Sequence, residues 1–343
     1  MPISWKISRL AIKGAIDKIG GFDNCHASAV SIGMNSSGIS NRVDLSCPHQ
    51  PSKRGISFNP KCCSCIKTPD GAPVPPFKYF RRPVFPYIVG STYYGTPNGF
   101  NFAPQSNQKD MIVITGSKGF IGQNFLKYLI EHSKEEIITV HEEHAWDWIA
   151  FFNDWDKVSL ILHQGAISDT TETDLDKLHR MNVWYSIELF EKAIKYQIPV
   201  KFASSASVYG NQQGIINPLN YYAITKLQMD YYIQDHMTEF SSIQSFRYFN
   251  VYGDGEDHKG DQASPVHKFT KQLQETGALK LFEGSGNYWR DFVWVGDVVE
   301  TVLNNDKPSG IYDLGTSDPV SFQTVGELIA EKYNGEIEFF PFP

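Results

Sequence analysis

Tyr222 and Lys226 stand four residues apart in Tyr222-Ala-Ile-Thr-Lys226, a spacing that puts a phenol and an ammonium on one face of a helix. A neighbouring cation favours phenolate over phenol, so the pair is expected to bring the tyrosine pKa down toward working pH for acid/base work on an alcohol–ketone couple. Upstream lies Ser204-Ser205-Ala206-Ser207-Val208-Tyr209-Gly210, from which Ser205 can donate to a developing oxyanion. Alone, such a Tyr/Lys pair is common on helix surfaces. Its weight comes from what precedes it, a strand ending in serines and, further upstream, a glycine-rich loop.

That loop is Gly116-Ser117-Lys118-Gly119-Phe120-Ile121-Gly122, placed between the β-branched run 111–115 and a helical pattern carrying Phe125, Leu126, Leu129 and Ile130. Glycines at Gly116, Gly119 and Gly122 allow a sharp turn and a close approach to a pyrophosphate, which then sits over the free N–H groups of a helix N-terminus. In isolation three spaced glycines say little; between a strand and a helix they point to a dinucleotide. At the end of the next strand, expected over 137–140, a carboxylate usually takes the adenosine ribose, and this chain has His141 followed by Glu142 and Glu143. NAD and NADP both remain open, because His141 could face a 2′-phosphate or be ordinary surface.

To position these groups the chain alternates strands and helices. Apolar runs at 158–162, 200–203 and 243–249 read as buried parallel strands, and a long amphipathic helix is expected over 174–196. The pattern predicts an α/β fold, a doubly wound parallel sheet whose ligands bind at the carboxyl ends of its strands. Farther along, Arg290 has the geometry to chelate a diphosphate, with an ion pair to Asp291 or Asp297 as the other reading.

The chain of 343 residues divides compositionally just before Met111. Residues 1–110 carry 13 Lys/Arg against 5 Asp and no Glu, net +8, whereas the remainder is net −15; all five cysteines and 12 of the 19 prolines fall in the first part. The two parts are therefore treated as separate modules. Residues 1–20 could form a short basic amphipathic helix, read as marginal and local. Residues 34–60 read as loop, and the aromatics between Phe77 and Phe102 as short strands and turns. Cys47, His49, Cys62, Cys63 and Cys65 offer zinc-type donors without paired Cys-x-x-Cys knuckles, so reduced thiols and no metal are expected. Scattered basic residues favour a solvated face over nucleic acid. With neither a signal-type apolar core nor an apolar run long enough to span a bilayer, cytoplasm is the expected compartment.

Together the glycine loop, the Ser205 strand end and Tyr222/Lys226 resemble the extended short-chain dehydrogenase/reductases, the NAD-dependent epimerase/dehydratase family acting on nucleotide sugars. The resemblance covers residues 111–343, extends to Arg247-Tyr-Phe-Asn250-Val-Tyr-Gly253 and Arg290-Asp-Phe-Val-Trp-Val-Gly-Asp297, and leaves 1–110 unassigned. Within that family, His258-Lys259-Gly260 and Phe282-Glu283-Gly284-Ser285 are similar to the branch that inverts C6 of ADP-glycero-manno-heptose for lipopolysaccharide core. The resemblance implies a Rossmann-type core over about 111–252 and a small substrate-binding part over about 253–343. It also implies bound NADP or NAD and a redox inversion through a ketone, with Tyr222 and Lys259 as two acid/bases, Lys226 tuning the phenol and Ser205 polarising the oxygen. By the same resemblance Phe120, Ile121, Gln164, Gly165, Ala166, Ser168, Asn182, Lys226 and Val251 fall on cofactor positions. Asn250, Lys268, Phe282, Glu283, Gly284, Ser285 and Arg290 fall on substrate positions.

Two departures shape the expectations. His163 follows His141 by only 22 positions, where the family has roughly twice that, including a strand whose end touches adenine. The sequence closes at Phe339-Phe-Pro-Phe-Pro343, short of a family segment that covers the sugar, so weakened substrate capture is expected. Another 4-epimerase or reductase of the family, and a nucleotide-binding protein without catalysis, are the alternatives; a dehydratase is disfavoured because no Asp-Glu pair lies near Ser205. A homo-oligomer is expected by analogy with the family.

Overall fold

The computed structural model describes residues 109–211 and 214–341. The short helix, the Cys/His set and the aromatic stretch read in the first module lie outside the described residues. The core is built as β1 (Met111–Thr115), α1 (Phe120–His132), β2 (Glu136–Val140), α2 (Ala145–Phe151), β3 (Val158–His163), α3 (Leu175–Leu178), α4 (Tyr185–Tyr196), β4 (Val200–Ser205), α5 (Tyr221–His236) and β5 (Ile243–Tyr248). There follow β6 (Asn250–Tyr252), α6 (Pro265–Thr276), β7 (Ala278–Phe282), β8 (Trp289–Arg290), β9 (Phe292–Trp294), α7 (Val295–Asn304), β10 (Gly310–Leu314), β11 (Val320–Ser321), α8 (Phe322–Tyr333) and β12 (Glu336–Phe340).

Six strands form one parallel sheet in the order β2-β1-β3-β4-β5-β10. After β2 the chain crosses back to place β3 on the other side of β1. This reversal opens a crevice at the carboxyl ends of β1 and β3, which is where such sheets bind ligands. The short span between β2 and β3 holds only α2 and short turns, and β2 is the sheet edge among the described residues.

Both faces are covered, which explains the near-continuous apolar runs of the strands. On one face Leu189, Phe190 and Ala193 of α4 and Met229 and Ile233 of α5 pack on Val113, Ile161 and Phe202. On the other, Phe125 and Leu129 of α1 and Val298, Val299 and Val302 of α7 pack on Ile112, Ile114 and Leu162. A third apolar cluster unites α6, β7 and α8 through Val266, Leu273, Leu279, Leu281, Val325 and Ile329. The parallel β6–β9 ribbon joins these bodies: Val251 and Val293 belong to the sheet core, Tyr252 and Phe292 to the third cluster.

The helix expected over 174–196 forms with one correction. Asp174 caps it, its carboxylate accepting from Lys177 N at 3.0 Å, but between α3 and α4 the residues His179–Trp184 make a π turn. Such turns recur at functional sites, because they push one side chain out of helical register. No residue pattern announced it.

Candidate active site

The crevice is a cleft of about 990 Å³ lined by the glycine loop, residues 140–143 and 164–169, Ser204, Ser205, Tyr222, Lys226, residues 248–251 and the loop carrying His258 and Lys259. It is built from strand ends and the first turns of helices, as the doubly wound topology requires. Among the residues read from the sequence as catalytic or cofactor-binding, all line this cleft except Asn182, which lies behind its wall.

The glycine loop is a fitted backbone contact. Gly116 has φ of 70°, and a Cβ there would come within 2.5 Å of Gly165 Cα; a Cβ on Gly122 would lie 2.1 Å from the Gly116 carbonyl oxygen. Only glycine lets the β1 and β3 loops and the start of α1 close on one another. No side chain caps α1, so its first N–H groups are left for an anion. Gln164 offers a second sign of a ligand: its Oε1 accepts from the Tyr248 hydroxyl at 3.0 Å while its buried Nε2 has no partner. The residues present fit a dinucleotide. His141 is held by Ser117, whose hydroxyl lies 3.2 Å from Nδ1, and Lys118 pairs with Glu143 at 3.1 Å, so one basic group near the β2 end is already engaged.

Behind the loop runs a buried relay. Ser186 donates to the Asn182 carbonyl at 2.8 Å and so must accept from His163 Nε2, also at 2.8 Å; His163 Nδ1 then accepts from Thr115 Oγ1 at 2.6 Å, which in turn accepts from Gly165 N at 3.0 Å. Directionality thus assigns a neutral Nε2–H imidazole. Burial and, secondarily, the Lys226 charge push His163 down to about 3, consistent with that tautomer. The π turn delivers the other end: Asn182 accepts from Ile167 N at 2.7 Å and donates to Ile167 O at 3.0 Å and Thr225 Oγ1 at 3.1 Å. One asparagine, 1% exposed, therefore ties the 164–168 loop to α5 one residue before Lys226.

Asn220 sets where α5 begins by accepting from Ala223 N at 2.8 Å, and the first turn then presents Tyr222 to the cleft. Lys226, 3% exposed, donates to the Ala203 carbonyl at 2.7 Å and lies 5.9 Å from the centre of the Tyr222 ring. Burial pulls Lys226 down to about 8, and the Asp230 charge resists this. The phenol departs from expectation: burial pushes Tyr222 up, and a hydrogen bond with Ser205 pulls it partly back. Desolvation of the hydroxyl outweighs an ammonium that faces a backbone carbonyl instead. Lys259 sits with its ammonium 5.1 Å from the Phe120 ring centre, and burial lowers its pKa despite Glu256 nearby.

The residues read as substrate-binding separate into two groups. Asn250 lines the cleft, its amide donating to the Asp291 carbonyl at 3.2 Å. Lys268, Phe282, Glu283, Gly284, Ser285 and Arg290 are not among the cleft-lining residues. Phe282 ends β7 against Tyr288 and Phe340; exposed Arg290 donates to its neighbour's carbonyl, on Trp289, at 2.8 Å. The ion pair of Arg290 with Asp291 does not form, since the Asp291 carboxylate accepts from Thr316 N and Oγ1 and from Ser317 N at 2.6–2.8 Å. Sequence reasoning passed over Tyr248 and Glu256; the place of Tyr248 at a strand's carboxyl end could have marked it, whereas nothing local marks Glu256.

A doubly wound sheet, a glycine cradle at its switch point and a Ser/Tyr/Lys set beside it define a dinucleotide-dependent enzyme acting on a carbinol–ketone couple. Comparison with known proteins narrows the class. A family model described as "NAD dependent epimerase/dehydratase family" matches residues 112–315, and the chain belongs to this family of NAD(P)-dependent nucleotide-sugar enzymes. It is similar to the solved ADP-L-glycero-D-manno-heptose-6-epimerase of Helicobacter pylori (26% identity, TM-score 0.60, covering 68% of this chain and 86% of that one). UDP-glucose 4-epimerase of Thermotoga maritima, solved with UDP-glucose, is similar at 24% identity and TM-score 0.58 over 68% of this chain and 86% of the other. The Thermus thermophilus UDP-glucose 4-epimerase, solved with NAD, shares the fold at 22% identity and TM-score 0.57, again over 68% and 86%. No helix among the described residues is long and apolar enough to cross a membrane.

Proposed function

We propose that this chain inverts a carbinol centre of a nucleotide-linked sugar by transient oxidation to a ketone and re-reduction from the opposite face. The observation that carries the reading is the convergence of Ser205, Tyr222 and Lys226 on the cleft formed by the glycine cradle. When bound, the nicotinamide supplies a hydride acceptor that later gives the same hydride back. Tyr222 receives the hydroxyl proton as the carbon–hydrogen bond breaks and returns it when the bond re-forms. Ser205 donates to the reacting oxygen. Lys226, fixed by the Ala203 carbonyl with its ammonium 5.9 Å from the Tyr222 ring centre, is the positive charge that has to offset burial for the phenolate to form.

Two substrates fit. Inversion at C4 of a UDP-sugar needs one acid/base, which the Ser205–Tyr222 pair provides; this is the broader reading. Inversion at C6 of an ADP-heptose is the narrower one and is favoured by Lys259, a second proton-transfer group in the same cleft.

The full chain should be incubated with NAD or NADP and, in turn, ADP-heptose, UDP-glucose and UDP-N-acetylglucosamine in deuterated water, with epimers followed by NMR. Epimer formation without deuterium at the inverted carbon is expected, because the hydride is returned rather than exchanged. Deuterium at that carbon would overturn the redox route. Tyr222→Phe should lower turnover by about 10²–10⁴-fold while the thermal shift caused by dinucleotide stays. Undiminished turnover in that variant would remove the assigned role.

A further inference from the structure

The loop between β6 and α6 carries Lys259, yet its only regular structure is a short 3₁₀ stretch, Asp257–Gln262, interrupted at Gly260. What fixes it is a carboxylate. Glu256, 1% exposed, accepts through Oε1 from Gly253 N at 3.0 Å and Ser264 Oγ at 2.7 Å, and through Oε2 from Ser264 N at 2.6 Å. One side chain therefore fastens the residues at which the loop leaves β6 and enters α6. Ser264 extends the arrangement, because its hydroxyl also accepts from His267 N at 3.2 Å and caps α6. Lys259 Nζ lies 3.9 Å from Glu256 Oε2, and His258, Lys259, Gln262, Ala263 and Ser264 all line the cleft.

A buried carboxylate used only to satisfy backbone N–H groups is an expensive way to close a loop, since a polar neutral side chain serves the same end at lower desolvation cost. Its charge has a natural recipient in Lys259, which is half-buried and has an aromatic ring on another side. We propose that Glu256 is a positioning residue: it clasps residues 253–264 into a wall of the cleft and holds Lys259 there as a charged ammonium able to donate a proton to the sugar oxygen. This rests on the reading of Lys259 as a second proton-transfer group. The other charges near Lys259 are Lys268, which opposes its ionisation, and Lys226 and His258, which line the same cleft; the Asp257 carboxylate faces His267 at 3.8 Å.

The test needs neither substrate nor cofactor. Full-length protein is labelled with an amine-reactive acetylating reagent across a pH series, and the modification of the Lys259 peptide is followed by mass spectrometry. In Glu256→Gln the Lys259 titration midpoint should move to lower pH by about one unit or more. In Glu256→Asp, which keeps the charge, it should return most of the way, and in Ser264→Ala, which loosens the loop and leaves the charge, it should stay near the parent value. Equal midpoints in the parent and Glu256→Gln would overturn the proposal, as would a midpoint in Ser264→Ala displaced as far as in Glu256→Gln. Should Glu256→Gln fail to fold, Glu256→Asp and Ser264→Ala are read against the parent, and a midpoint in Ser264→Ala lower by about one unit or more would overturn the proposal. Inactivity on every nucleotide sugar would refute the function and leave this titration readable.

Discussion

His163 shows how much a single side chain adds to the cleft. It touches no ligand position itself, yet it bridges Thr115 and Ser186 and so connects the Gly165 amide to the π turn. Held neutral with a pKa pushed down to about 3, it makes the fold acid-sensitive in a defined window. The unfolded chain takes up a proton as pH drops through the ordinary histidine range near 6.5, while the folded chain does not until about 3. Stability is therefore full above that range and is lost progressively below it, by about 2 kcal/mol at pH 5. Denaturant unfolding of the parent should follow this slope between pH 7 and 5, and His163→Gln should flatten it while lowering stability throughout by about 1–3 kcal/mol, as Thr115 and Ser186 lose a fitted partner. A parent slope unchanged in His163→Gln would dissociate the acid response from this imidazole. The sequence made the chemical side chains legible: Tyr222, Lys226 and Ser205 have types and spacings that speak for themselves. It did not disclose His163 as a relay, because its partners lie 48 and 23 positions away and only the sheet brings them near.

At the scale of elements, periodicity was a good guide where burial is continuous and silent where a loop or an irregular turn decides. The strands expected at 137–140, 158–162, 200–203 and 243–249 form within one or two residues of those bounds, since apolar β-branched runs buried on both faces have few other uses. Positions 282–285 and 290, by contrast, fall at the end of β7, in the turn after it and in the two-residue β8, where no local pattern encodes their place, and they are not among the residues lining the cleft. The π turn at 179–184 is the clearest such case. It holds one residue more than an α-helix of that rise would, and Asn182 faces Ile167 because of it. Deleting Met181 should let the helix heal into regular register and, by turning Asn182 away, release the 164–168 loop. The expected outcome is a chain that still unfolds cooperatively by circular dichroism but shows no thermal shift with NAD or NADP. An undiminished shift would mean that the loop holds its shape without the asparagine. Gly122→Ala should give the same loss of shift from the other side of the cleft, because its methyl group would meet the Gly116 carbonyl.

At the scale of the whole molecule, the elements that make the cleft among the described residues lie between Met111 and Phe340. Lys109 adds a tie by donating to the carbonyls of Tyr196 and Gln197, the last residue of α4 and the one after it, at 3.2 and 2.8 Å. The net charge changes sign at the same boundary, from +8 over residues 1–110 to −15 over the remainder. A chain begun at Lys109 should therefore fold and keep its dinucleotide-induced thermal shift, and one begun at Ile112 should be less stable. Loss of that shift on removing residues 1–108 would show that the first module contributes to the nucleotide site. The β6–β9 ribbon has a different kind of importance. Its alternate residues are rooted in different apolar bodies, Val251 and Val293 in one, Tyr252 and Phe292 in the other. Mechanically it has the form of a torsion spring: a displacement of the α6–β7–α8 body would twist the ribbon about its own axis, and Asn250 and Val251, which line the cleft, would carry that twist.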